Sequence, residues 1–83
     1  MSSVKRIEVL GPGCPRCEQA YRVVRQVVED AGLEVEVRKV DSIDRMVEMG
    51  ILATPAVVVD GRVRVAGRVP EAGLVRELLG IAG

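Results

Sequence analysis

The chain has no tryptophan, no phenylalanine and a single tyrosine among its 83 residues. No aromatic platform is available for stacking a base, and the core has to be packed from valine, leucine, isoleucine, alanine and methionine. An excess of one charge is also missing. Ten arginines and two lysines balance twelve acids, and the signs are interleaved along the chain. Neither a basic patch nor an acidic tail marks the sequence, so nucleic acid is not an expected partner. No stretch approaches the ~18 apolar residues that cross a bilayer, and Met1-Ser2-Ser3-Val4-Lys5-Arg6 has no apolar core of signal-peptide length. A cytoplasmic protein with no membrane partner is therefore expected. Histidine is absent and cysteine occurs twice. A closed tetrahedral zinc site needs four ligands, so one chain cannot supply it from Cys and His. No resident metal is expected.

What is present is concentrated at those two cysteines, in Cys14-Pro15-Arg16-Cys17. Two thiols at this spacing can close and open a disulfide while the fold stays in place. Hydrophobic residues make up 48% of the chain, enough for the core of a single domain spanning residues 1–83.

The pattern along the chain gives the surroundings of the dithiol. Residues 4–10, with Val4, Ile7, Val9 and Leu10, read as a strand that stops at Gly11-Pro12-Gly13. From Pro15, well placed as a first helical residue, Cys17, Ala20, Tyr21, Val24, Val27, Val28 and Ala31 recur at helical spacing until Gly32. Cys17 thus falls on the inner stripe of this helix and Cys14 precedes it at the open end. Residues 33–40 alternate as a second strand near an edge. Asp41-Ser42-Ile43-Asp44 opens a short helix with Ile43, Met46 and Val47 on one apolar face, ending at Gly50. Residues 56–59 and 62–67 flank Asp60-Gly61, the strongest short-range hairpin signal. The unalternating Val57-Val58-Val59 predicts an interior strand, and Arg62 and Arg64 between Val63 and Val65 predict a charged edge. Pro70-Glu71 opens a last helix with Leu74, Val75, Leu78 and Leu79, stopped by Gly80.

A structural disulfide across so short a loop would remove little chain entropy, and close cysteine pairs in a reducing compartment are more often catalytic or metal-binding. The blander alternatives are a structural cross-link or two inert thiols. A metal carrier of the copper type also uses a surface Cys-x-x-Cys after a first strand. A thiol switch without turnover is a third reading.

The dithiol between strand and helix, Thr54-Pro55 ahead of the hairpin, Gly67 at the end of the last strand and the order β-α-β-α-β-β-α together resemble the thioredoxin and glutaredoxin superfamily, specifically its small single-domain members. The resemblance covers nearly the whole chain. It implies an α/β minimal thioredoxin fold, a four-stranded mixed sheet with helices on both faces. It further implies a cis bond before Pro55, with the Thr54 backbone, Pro55 and Gly67 lying beside a substrate chain. The implied activity is that of a dithiol–disulfide oxidoreductase acting on client proteins. A reductase of the thioredoxin-reductase type would re-reduce it. The expected working form is a monomer, with no cofactor besides the redox-active disulfide.

Within that chemistry Cys14, at a helix N-terminus, is the expected nucleophile and Cys17 the resolving thiol. A helix dipole is worth ~0.3–1 kcal/mol at an exposed site, less than the ~1.4 kcal/mol of one pKa unit. Direct hydrogen bonds to the sulfur must therefore add to it. Gly13, Pro15 and Arg16 form the tuning loop, with Glu18 partly offsetting the Arg16 charge. The chain also departs from its relatives. Pro-Arg stands where typical thioredoxins have Gly-Pro and typical glutaredoxins Pro-Tyr, and Gly13 replaces the flanking Trp. Residues 67–71 do not reproduce the glutathione-holding pattern of glutaredoxins. Glu8, six residues before Cys14, sits where thioredoxins bury an acid, although a solvated strand charge is the simpler account.

Overall fold

A computed structural model of the chain describes residues 4–13 and 15–81. Cys14 lies outside the described residues.

Along the chain, β1 (Arg6–Leu10) is followed by α1 (Pro15–Ala31), β2 (Glu36–Val40), α2 (Ile43–Glu48), β3 (Ala56–Val59), β4 (Arg62–Ala66) and α3 (Ala72–Leu78). The sheet order is β2-β1-β3-β4, with β1 parallel to β2 and antiparallel to β3, and β3 antiparallel to β4. The expected element order and mixed sheet are therefore present. Strand β3, buried along its whole length, is interior as its run of valines predicts.

Each face of the sheet carries its own apolar cluster. Ile7, Val9, Val57, Val59 and Val65 pack against Ala20, Val24, Val27 and Val28 of α1 and against Val75 and Leu79 at α3. Leu10, Ala56 and Val58 pack on the opposite face against Met46 of α2 and Ile51. Successive strand side chains point to opposite faces, so Val57-Val58-Val59 serves both layers without alternating. Branched aliphatics suit a pleated surface covered on both sides.

The hairpin turns at Asp60 and Gly61, with φ of 48° and 85°. Both central residues having positive φ is the turn geometry for which Asp-Gly is selected. The Asp60 carboxylate also accepts the backbone N–H groups of Lys5 (3.0 Å) and Arg6 (2.9 Å), tying the turn to the start of β1. Ser42 caps α2, its hydroxyl accepting the Arg45 N–H at 3.3 Å.

Three expectations are corrected, and β4, the charged edge strand expected, carries an irregularity that the pattern does not show. Strand β2 begins at Glu36, not Leu33, because its ladder starts where β1 offers a partner, at the Arg6 and Glu36 pair. Leu33 and Val35 instead pack at the margin of the helix-covered core. On α2 only Met46 is buried, while Ile43 is 67% and Val47 72% exposed. A helix of six residues offers the sheet little more than one inward position. Helix α3 starts at Ala72, with Glu71 at its N-cap and Pro70 ahead of the helix. Finally, an irregularity between Val57 and Val58 pairs Val58 with Val63 and leaves Arg64 as the extra residue of β4. The bulge interrupts the alternation, so Val63 is exposed and Val65 is the one buried residue of the strand. A bulge of this kind on an exposed strand also discourages edge-to-edge pairing.

Gly73 lies inside α3, and a Cβ added there would meet nothing within 4 Å among the described residues. Replacing a helical glycine by alanine removes unfolded-state entropy without strain. Gly73→Ala should stabilise the fold by about 0.5 kcal/mol and raise Tm by roughly 2–4 °C. Thermal unfolding followed by far-UV circular dichroism checks this; a lowered Tm would contradict the open surroundings of Gly73.

Candidate functional site

The ladders meet at one end of the sheet. Leu10 pairs with Ala56 and Ala56 with Ala66, so the next residues, Gly11, Pro55 and Gly67, lie side by side across three strands. Two backbone hydrogen bonds extend the ladders to this row. Gly11 N–H donates to the Val40 carbonyl at 2.9 Å, and Gly67 N–H to the Pro55 carbonyl at 3.0 Å. The Thr54–Pro55 peptide bond is cis, as the resemblance implies, and Pro55 is fully buried. Thr54, half-buried, has no backbone hydrogen bond among the described residues.

Helix α1 begins at Pro15 and lays its first turn over this row. Cys17 is 2% exposed, on the inner stripe with Ala20 and Val24. Its sulfur fits there because Gly11 has no side chain. A Cβ on Gly11 would lie 2.1 Å from Cys17 Sγ, 2.9 Å from Cys17 Cβ and 3.8 Å from Thr54 Cβ. Gly11, Cys17 and Thr54 are thus one packed contact. The glycine is required by the close approach of the thiol and not by its own torsion, since Gly11 is absent from the positive-φ positions. Sequence reasoning took Gly11 only as part of a turn. A glycine directly after a buried strand and six residues before an inward helical cysteine was the available signal.

Arg16 supplies a second link that the sequence does not reveal. One guanidinium nitrogen (NH2) donates to the Gly67 carbonyl at 3.1 Å. Gly67 itself has φ of 83°, and a Cβ there would approach Ala53 Cβ to 3.0 Å. Both torsion and space call for glycine. The Arg16 side chain therefore bridges the start of α1 to the loop after β4, while Gly67 bonds to Pro55 beneath it. Gly13 has φ of 88°, and a Cβ added there would meet nothing within 4 Å among the described residues, its chain neighbours aside.

Of the predicted site residues, the structure gathers Cys17, Arg16, Thr54, Pro55 and Gly67 at this end of the sheet, with Pro15 opening α1 and Gly13 in the loop before it. Cys14, immediately before α1 in sequence, lies outside the described residues.

Glu8 is not a solvated strand charge. It is 5% exposed, and its carboxylate oxygen lies 3.4 Å from an Arg45 guanidinium nitrogen of α2 and 3.8 Å from Arg6 Nε. Its polar partners among the described residues are these two arginines. Burying a carboxylate demands such compensation, and here it fastens α2 to β1. Glu18 is paired with Lys39 across to β2, which removes it as the partner of Arg16.

A cleft on the α1 and α3 side, lined by Arg22, Gln26, Pro70 and Arg76 among others, lies apart from these residues.

The thioredoxin domain family matches residues 5–80. A thioredoxin of Methanothermobacter thermautotrophicus is 30% identical over 74 residues, covering 89% of this chain and 96% of that protein. A thioredoxin of Methanocaldococcus jannaschii is 33% identical over 73 residues, covering 88% and 84%. Among solved structures, the solution structure of reduced MJ0307 is similar with a TM-score of 0.57 and 33% identity, over 96% of this chain and 98% of that one.

Gly11→Ala drives a methyl group into Cys17, and overpacking of this severity costs about 1–3 kcal/mol. The variant should lose stability in that range in urea, and Cys17 should become more accessible to an alkylating reagent. Unchanged stability together with unchanged alkylation would contradict the close packing of sulfur on Gly11.

Proposed function

This chain belongs to the thioredoxin domain family, and from that premise we propose that its redox function is the reduction of protein disulfides by the Cys14 and Cys17 dithiol. The observation that carries this reading is the packing of Cys17 onto Gly11 beside Thr54 and the buried cis Pro55. A shielded second thiol next to a backbone edge suits a resolving role.

In the proposed reaction the Cys14 thiolate attacks one sulfur of a client disulfide. A mixed disulfide forms and the client's other sulfur leaves as a thiolate. Cys17 then loses its proton and attacks the Cys14 sulfur, releasing the second client thiolate and leaving the Cys14–Cys17 disulfide. Two electrons pass to the client, whose thiolates take up protons. No cofactor beyond the dithiol takes part. A reductase of the thioredoxin-reductase type would return the pair to its reduced form, and the chain would act as a monomeric single domain in the cytoplasm.

The Thr54 N–H and carbonyl, with no backbone partner among the described residues, would pair with an extended client segment. Each such bond is worth about 0.5–1.5 kcal/mol net. Gly67 and Pro55 hold that edge in place, and Pro15 and Gly13 shape the approach. The metal-carrier reading finds less support, since copper and mercury chaperones run β-α-β-β-α-β, whereas here α2 separates β2 from β3 and the last element is helical. Among the described residues, no helix is long and apolar enough to cross a membrane.

Titration in graded dithiol buffers should give one two-electron midpoint, read as a mass difference of two hydrogen atoms. Cys17→Ser should accumulate a mixed disulfide at Cys14, and Cys14→Ser should abolish disulfide reduction while unfolding like the parent. Retained turnover in Cys14→Ser would refute the assignment of roles. Failure to form the intramolecular disulfide, with tight stoichiometric Cu(I) binding, would replace the function with metal carriage.

A further inference from the structure

Net charge is zero, but the cations are not evenly neutralised. Arg6, Arg25, Arg38, Lys39 and Arg45 all sit in ion pairs on β1, β2, α1 and α2. On the β4 side, Arg16, Arg64 and Arg68 have no carboxylate partner among the described residues, and all three are exposed. The acid of the β3–β4 turn does not offset them, because Asp60 lies at the other end of the strands, against the Lys5 and Arg6 backbone N–H groups, where salt screens it.

Two of these arginines flank the same backbone group. Arg16 donates one N–H to the Gly67 carbonyl, and Arg68 is the next residue in the chain. The hydrogen bond fixes the Arg16 guanidinium over the end of the sheet and leaves further N–H donors turned to other partners. A guanidinium has five such donors in a planar fork that matches a carboxylate. Asp41 follows β2 on the opposite flank, and Glu71, three residues past Arg68, is exposed and makes no ion pair among the described residues. Three strand spacings of ~4.8 Å put β2 ~14 Å from β4, beyond the ~8 Å over which exposed charges interact at physiological salt. Asp41 is therefore screened from Gly67, and Glu71 alone leaves Arg16, Arg64 and Arg68 in positive excess.

We propose that Arg16 and Arg68 make this site select disulfides flanked by acidic residues, with the client carboxylate seated against the two guanidinium groups at Gly67. The inference rests on the disulfide-reductase reading and adds a substrate class to it. Arg16 and Arg68 are specificity-determining residues, and the electrons still pass from Cys14 and Cys17 to the client sulfurs.

The test uses the pre-reduced protein in single turnovers with three disulfide peptides that differ only beside the cysteine, carrying Asp, Ser or Lys. Surface charge pairs of this kind change rates by a few fold and fade with salt. The Asp peptide should be reduced about fivefold faster than the Lys peptide at low ionic strength, with the ratio falling toward one at ~1 M salt. Arg68→Gln and Arg16→Gln should each lower the ratio, which is insensitive to any uniform loss of activity. Arg68 makes no hydrogen bond among the described residues, so its variant reports charge without disturbing the Gly67 link. Equal rates for Asp and Lys peptides, or a ratio untouched by both substitutions, would overturn the proposal while reduction of the Ser peptide leaves the reductase reading standing. Failure to reduce even the Ser peptide would overturn the reductase reading and the selectivity with it.

Discussion

The end of the sheet where the three strands meet depends on how closely α1 can approach β1. The Cys17 sulfur occupies the space where a side chain on Gly11 would stand. A protein interior is packed at crystal-like density, and even one methyl group has to be accommodated. With nothing larger than hydrogen on Gly11, the first turn of α1 drops onto the strand, and Ala20 and Val24 follow it into contact with Ile7 and Val9. The approach also decides the exposure of the thiol, because a sulfur resting on backbone is 2% exposed at a position barely one turn inside its helix. Thr54 reaches the same contact from the loop before β3, so helix, strand and loop are fixed together by one absent side chain.

Around this contact the core achieves its closeness without rings. Valine and isoleucine have few rotamers, so a stack built from them orders with little loss of side-chain entropy. Small side chains also bring the layers close, which a site built from backbone groups requires. Pro55 can lie fully buried between β1 and β4, and the hydrogen bond from Gly67 to its carbonyl continues the ladder without needing an N–H from proline. Proline at the first position of a strand loses no ladder bond in this arrangement.

Much of this was legible in the sequence because it is local. The helical spacing of Cys17, Ala20, Val24 and Val27 puts the cysteine inside, Asp60-Gly61 dictates its turn, and Ser42 caps its helix through its own hydroxyl. The rest is tertiary. Alternation along residues 62–65 marks a charged edge strand, but it does not show the bulge across from Val57 and Val58, which adds a residue and leaves Val63 exposed. Glu8 looks like a solvated charge until Arg45 arrives from 37 residues away to cover it. Gly11 looks like a turn residue until α1 lies on it, and nothing near Arg16 in the chain announces a hydrogen bond to a carbonyl 51 residues distant. Periodicity reports which way a side chain points relative to its own element; it carries no information about which element comes to meet it.

The missing aromatics bear on recognition as well as packing. Where Gly13 stands, a bulky ring would offer a client a large apolar contact worth several backbone hydrogen bonds. Gly13, with no side chain, offers none. Under the proposed function a client would be held by the Thr54 backbone and by charge near Gly67, contacts that are individually weak. Association of that kind is short-lived, since affinity differences among related complexes reside mostly in dissociation rates. For an exchange reaction brevity is an advantage, because the covalent mixed disulfide supplies the hold during transfer and Cys17 ends it. Binding energy beyond what orients the client sulfur would only slow release of the reduced product. A site made of glycine, a threonine backbone, a buried proline and one bridging arginine is thus matched to capture by chemistry and not by affinity.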